Sequence, residues 1–197
     1  MKKTKQGKPI ELPTVEQLEN ELRRERFRRN YNRVLRSTLF TLISVAAVAI
    51  LVAMLFMPVL QIYGSSMSPS LEDGEIVVTV KRGDFQQGDV ISFYYNNKIL
   101  VKRIIAFPGD WVDLDADGNV FVNGQKLEEP YLADKAYGDV NIELPYQVPD
   151  GKIFVMGDHR STSADSRNTA IGCVAEEQIV GKMLLRVWPL SVFGPIE

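Results

Sequence analysis

The 197-residue chain has one cysteine and one histidine. With Cys173 alone, no disulfide can close within the chain. That excludes a disulfide-stapled secreted scaffold and any cysteine-rich zinc site. With His159 alone, a metal site built from several histidines is excluded as well. Charge is also missing over a long stretch: no Asp, Glu, Lys or Arg falls between Arg36 and Glu72. No internal repeat and no low-complexity tract is present.

What surrounds the uncharged stretch is asymmetric. Residues 1–36 carry eleven Lys or Arg against five Glu, and residues 72–197 carry twelve basic against twenty acidic residues. A basic segment, an apolar run and an acidic remainder form the charge pattern of a membrane protein with its N-terminus in the cytoplasm. The competing reading is a basic arm for nucleic acid. It is disfavoured because the arm leads straight into the apolar run, so no nucleic-acid partner is expected.

Residues 1–12 are polar and lysine-rich, a composition expected to be disordered. Thr14 then reads as a helix N-cap, with Gln17 three residues on. Val15, Leu18, Leu22, Tyr31 and Val34 form a rough apolar stripe among arginines, compatible with an interfacial helix on anionic lipid or with a solvated tail. Residues 38–60 are uncharged and end near Pro58. A bilayer core needs roughly 20 helical residues, so this run suffices for a span. A cleaved secretory signal has an apolar core of only about 7–15 residues, and the small-residue triplet Ala47-Val48-Ala49 lies in mid-span. An uncleaved anchor is therefore expected. The division is a cytoplasmic segment 1–37, a transmembrane helix 38–60 and an extracytoplasmic domain 61–197.

That last part is mainly β. Strands are expected at 75–80, 90–95, 99–107, 111–114, 120–123, 152–156 and 181–188. Asn96-Asn97 and Asp117-Gly118-Asn119 mark hairpin turns, and Glu176-Glu177 a short helical turn. A loop-rich excursion occupies about 111–150. Asp113-Leu114-Asp115-Ala116-Asp117-Gly118 imitates the first half of a calcium loop. Its twelfth position is Gly124 where a bidentate Glu is required, so it reads as a hairpin turn.

Two groups of residues could carry chemistry. Ser65, Ser66, Ser68 and Ser70 crowd a short loop directly after the span. A serine becomes a nucleophile only beside a base. Lys102 lies in the apolar strand 99–107, where lost solvation would lower its pKa toward that of a general base. Adjacent residues of a strand face opposite ways, so Arg103 can face solvent while Lys102 faces inward. His159 lies in a dense polar run, 156–167, after a buried-looking strand. From these residues alone, Ser-His-Asp and Ser-Lys arrangements both stay open.

Three motifs in order then resemble the boxes of bacterial type I signal peptidases. Ser66-Met67-Ser68-Pro69-Ser70-Leu71 resembles the nucleophile box. Lys102-Arg103 followed by Phe107-Pro108-Gly109-Asp110 resembles the box of the lysine base. Gly157-Asp158-His159-Arg160 with Ser163-Ala164-Asp165-Ser166-Arg167 resembles the third box, and Gly88-Asp89-Val90-Ile91 a connecting segment. The resemblance covers about residues 38–190. It implies a membrane-anchored serine endopeptidase with an extracytoplasmic domain of coiled antiparallel β-sheets. Such an enzyme removes signal peptides from exported preproteins by a Ser-Lys dyad, after small residues in an Ala-x-Ala pattern. Its partners would be signal peptides, the phospholipid membrane and the export machinery. No metal or cofactor is implied.

Residue by residue, the resemblance makes Ser66 the nucleophile and Lys102 the general base. Ser163 would contact the lysine amine and orient it. Asp165 and Arg167 would pair behind the site, and Met67 would pack beside the lysine. The backbone N–H groups of Ser66 and Gly64 would form the oxyanion hole. Ile62, Tyr63, Leu100 and Val101 would bind substrate. The chain departs from the family at His159, where Asn is usual; the family's histidine base, where one exists, takes the lysine's position, so His159 is read as non-catalytic. Two other readings stand beside this one: a peptidase dedicated to one export or conjugation pathway, and a non-catalytic anchored binding module.

Overall fold

The computed structural model describes residues 14–81 and 84–196. The lysine-rich stretch 1–12 lies outside the described residues. The chain divides into two compact units, Met1–Leu51 and Val52–Glu197.

One helix, α1 (Val15–Phe56), dominates the first unit. Its start is the expected capping box: the Thr14 N–H donates to Gln17 Oε1 at 3.0 Å, and the Gln17 N–H donates to Thr14 Oγ1 at 3.4 Å. The basic segment and the apolar run, separated on sequence, are one uninterrupted helix. Polar residues at their junction do not break it, because Thr38 and Thr41 donate their hydroxyls to the carbonyls of Val34 and Ser37, both at 2.9 Å. At 1.5 Å per residue the helix is about 63 Å long, against a bilayer core of about 30 Å. It is long and apolar enough to cross a membrane. It ends at Phe56, because proline disfavours helical geometry in the residue before it, Met57. The expected span 38–60 is therefore corrected at its outer end: Val59 and Leu60 belong to a strand.

The second unit is antiparallel β, as expected. Its strands are β1 (Val59–Gln61), β2 (Ile76–Val80), β3 (Val90–Tyr95), β4 (Lys98–Ala106), β5 (Trp111–Leu114), β6 (Val120–Val122), β7 (Gln125–Lys126), β8 (Tyr146–Gln147), β9 (Lys152–Met156), β10 (Val174–Ala175), β11 (Ile179–Trp188) and β12 (Gly194–Pro195). The large sheet runs β1-β2-β11-β3-β4-β9-β10, with β12 on β11, and the small sheet runs β7-β6-β5-β8. The excursion after β4 is thus partly a sheet of its own. Within it, Asp115 Oδ1 accepts the N–H groups of Asp117 and Asn119 at 3.0 and 2.8 Å, so the calcium-like sequence is the hairpin turn anticipated.

β4 organises this unit. Its buried residues enter two separate cores, since Ile104 packs with Ile91, Phe93 and Val155, while Ile105 packs with Val112, Phe154 and Met156. Alternation across a strand explains the split. β9 pairs with β4 only at Arg103, Ile104 and Ala106. The first half of β4 therefore bonds β3 on one side, and among the described residues its other edge is open. β1 is likewise bonded on one side, to β2.

Candidate active site

The serine loop is held at each end. Gly64 turns the chain out of β1 with a φ of +87°, a region open to glycine at little cost. Its N–H donates to Asp73 Oδ1 at 2.6 Å. The Ile62 N–H donates to the Glu75 carbonyl at 2.8 Å, which closes the base of the loop. Met67 and Leu71 are fully buried and pin its middle, packing with Ile62, Val77, Val90 and Met183. At the far end, Arg103 Nη2 donates to Ser70 Oγ at 3.2 Å, and Arg186 Nη2 donates to the Ser70 carbonyl at 2.9 Å.

Lys102 reaches this loop from β4. Its Nζ lies 2.7 Å from Ser66 Oγ. The residue is 3% exposed. Burial is the main reason its pKa falls from 10.5 to about 8, while the carboxylates of Asp165 and Asp158 pull the other way and Arg167 adds to the fall. A neutral amine is thus accessible near neutral pH. Arg103 does not face solvent as its place in the strand was expected to allow. It is 1% exposed, because Asp158 meets it with two bonds, Nε to Oδ1 at 2.9 Å and Nη2 to Oδ2 at 2.7 Å.

The third motif builds the wall behind. Gly157 has no room for a Cβ, which would strike Ser163 Oγ and the Ser66 carbonyl. The absence of a side chain lets this backbone pass directly against the serine loop. Asp165 and Arg167 form the expected pair, Nε to Oδ1 and Nη2 to Oδ2, both at 2.9 Å. Burial alone would raise the Asp165 pKa. The Arg167 guanidinium and the Gly157 N–H outweigh it and hold the carboxyl below its ordinary value. The Ser163 hydroxyl helps least, in keeping with its lack of hydrogen-bond geometry to any partner. The expected Ser163–lysine hydrogen bond is therefore not made among the described residues; the hydroxyl is buried beside Gly157.

His159 is not at the serine hydroxyl. Its Nδ1 lies 3.3 Å from the Ser65 carbonyl, and its N–H donates to the Ser66 carbonyl at 3.1 Å. The expectation for Gly64 is corrected too. Its N–H is spent on Asp73 and is not free for an oxyanion. In front of the serine lies a groove of about 790 Å³, lined by β1, by Ile62, Tyr63, Ser66 and Met67, and by residues 97–102. Ile62, Tyr63, Leu100 and Val101 all fall on it. β1 and β4 stand four places apart in the sheet order yet share this groove, so the sheet curls round to bring them face to face.

Sequence reasoning missed the partners that the loop-rich excursion supplies. Glu129 meets Arg160 at 2.6 Å with both side chains fully buried. Tyr131 lies under the Arg103 guanidinium, 3.8 Å from ring centroid to Cζ, and the Tyr137 carbonyl accepts from Arg167 Nη1 at 2.7 Å. A buried arginine needs an anion. Three arginines in or beside recognised motifs thus signalled three acids, of which the motif named only Asp165, for Arg167; Asp158 for Arg103 and Glu129 for Arg160 emerge from the fold.

The chain matches the family model described as signal peptidase, peptidase S26, over residues 34–188. It is 41% identical to signal peptidase IB of Staphylococcus aureus over 152 residues, 67% of this chain and 78% of that one. It is 36% identical to signal peptidase I of Bacillus licheniformis over 163 residues, 76% of this chain and 86% of that one. A crystal structure of a signal peptidase I from Enterococcus faecalis is 30% identical, with a TM-score of 0.45, covering 51% of this chain and 97% of that one. The chain belongs to the signal peptidase family, peptidase S26, and is a serine peptidase.

Proposed function

We propose that the chain removes signal peptides from preproteins as a membrane-anchored endopeptidase, with Ser66 as nucleophile and Lys102 as general base. Family membership supports signal-peptide removal. The observation that carries the dyad is the 2.7 Å approach of a buried, pKa-lowered amine to Ser66 Oγ. Neutral Lys102 takes the hydroxyl proton as Ser66 attacks the scissile carbonyl. The resulting ammonium gives its proton to the leaving amine, and water hydrolyses the acyl-enzyme. The Ser66 N–H donates to no acceptor among the described residues and is the donor proposed for the oxyanion. Asp165, Arg167 and Met67 support the lysine.

The substrate binds extended in the groove, bonding the open edges of β1 and β4 near Ile62, Tyr63, Leu100 and Val101. Alternate residues of an extended peptide face one wall, which fits a preference for two small residues in an Ala-x-Ala pattern. The apolar half of α1 anchors the enzyme. The arginines at its start favour a cytoplasmic N-terminus and an extracytoplasmic second unit. Tethering beside the membrane raises the effective concentration of a signal peptide emerging from the export machinery.

The pH profile tests the base. In detergent, kcat/KM should rise with pH and level off above about 8, because only the neutral amine is active. A rate already flat from pH 6 upward would remove Lys102 from this role.

A further inference from the structure

We infer that His159 is a positioning residue that fixes the backbone on both sides of Ser66 and so aims the proposed oxyanion donor. The inference rests on the reading of Ser66 as nucleophile. Two peptide planes flank the Ser66 Cα. The plane before it holds the Ser65 carbonyl and the Ser66 N–H. The plane after it holds the Ser66 carbonyl. His159 bonds both: its ring Nδ1–H donates to the Ser65 carbonyl at 3.3 Å, and its N–H donates to the Ser66 carbonyl at 3.1 Å. Fixing both planes fixes φ and ψ of the serine.

A trans peptide then does the aiming. The carbonyl and the following N–H point in opposite directions across a planar unit. Pulling the Ser65 carbonyl toward His159 therefore turns the Ser66 N–H away from it. Both the cationic ring and the neutral Nδ1–H tautomer carry the required proton.

The clamp itself is rigidly mounted. Asp158, just before His159, is locked by two bonds from Arg103. The Gly157 carbonyl accepts from Arg160 Nε at 3.0 Å. The His159 carbonyl accepts the N–H groups of Thr162 and Ser163 at 3.2 and 3.1 Å. The ring thus projects from a backbone held by buried ion pairs onto a loop whose hydroxyl must be placed to a fraction of an ångström.

The test compares three variants of the full chain in detergent. His159→Ala removes the ring donor, and its kcat should fall about ten- to a hundred-fold with KM changed by less than about two-fold. His159→Asn offers a side-chain N–H again and should recover most of the loss. The rising limb of the pH profile should stay in place in both, because Lys102 is not the group disturbed. Should the alanine variant fold poorly, His159→Leu fills the volume without a donor and should show the same loss. Full kcat in the alanine or leucine variant would overturn the inference. So would an asparagine variant as slow as alanine, or a pH limb that moves with the rate. Ser66→Ala run alongside separates the two readings. If it is inactive while His159→Ala is fully active, only the clamp is wrong; if Ser66→Ala still cleaves, the dyad itself fails.

Discussion

Lys102→Met is expected to abolish peptide cleavage while making the Val52–Glu197 unit more stable at pH 7. The two effects have one origin. Burial disfavours the charged form of the amine, which suits it to the base role proposed for it, and that same disfavour weakens the fold whenever the amine is protonated. The gap between 10.5 in the unfolded chain and about 8 in the fold corresponds to about 3 kcal/mol. The sign follows from the proton count. Between pH 8 and 10.5 the unfolded chain binds the proton more readily than the fold, so stability of the natural protein rises with pH across that window. Below pH 8 the full penalty applies. Methionine has a similar length and no charge, so it removes the penalty and packs into the same apolar surroundings. Urea unfolding at pH 7 should show the variant more stable by up to about 3 kcal/mol, with the difference shrinking toward pH 10.5. Activity should fall by at least about 10⁴-fold. A variant that is both inactive and less stable at pH 7 would mean that Lys102 is not held against its own charge.

Asp165→Asn should move the activity profile to lower pH and destabilise the fold. Asp165 is the larger of the two carboxylate influences that raise the Lys102 pKa. Removing its charge leaves burial and Arg167 lowering it against Asp158 alone. The rising limb of kcat/KM should therefore shift below pH 8. The substitution also strips the counter-charge from Arg167, which is fully buried. Breaking a buried pair by removing one partner typically costs about 3–5 kcal/mol. The low end is expected here, since the carbonyls of Arg160 and Tyr137 still accept from the guanidinium at 2.9 and 2.7 Å. Urea unfolding of the variant measures that loss, and a pH titration of kcat/KM measures the shift. A limb that stays in place or moves upward would contradict the assignment of Asp165 as the charge that opposes deprotonation.

Much of this arrangement is written in local sequence. The hairpin of β3 and β4 follows from two runs rich in β-branched and aromatic residues around Asn96-Asn97, and the start of α1 from Thr14 and Gln17. Ser66, Lys102 and the Asp165–Arg167 pair could be named because each sits in a short motif. What stayed hidden depends on contacts between distant parts of the chain. Val59 and Leu60 read as the end of a span, because a short apolar strand and the last turn of an apolar helix have the same composition. Their pairing with Val77 and Val78 is visible only in the fold. Asp73 takes the Gly64 N–H because the loop closes on itself, and no residue pattern announces that bond. Glu129 and Tyr131 lie in a stretch with little periodicity, yet they satisfy Arg160 and cover Arg103. Ser163 shows the opposite failure: its motif position is right, but in this structure its hydroxyl does not reach the lysine amine.

In the proposed chemistry Ser66 attacks and Lys102 takes its proton. Incubating a preprotein in detergent at pH 8 with the natural enzyme, Ser66→Ala and Lys102→Ala, then sequencing the N-terminus of each product, decides whether it does. One cut after a small residue is expected with the natural enzyme and none with either variant. Cleavage at the same bond by folded Lys102→Ala would contradict it.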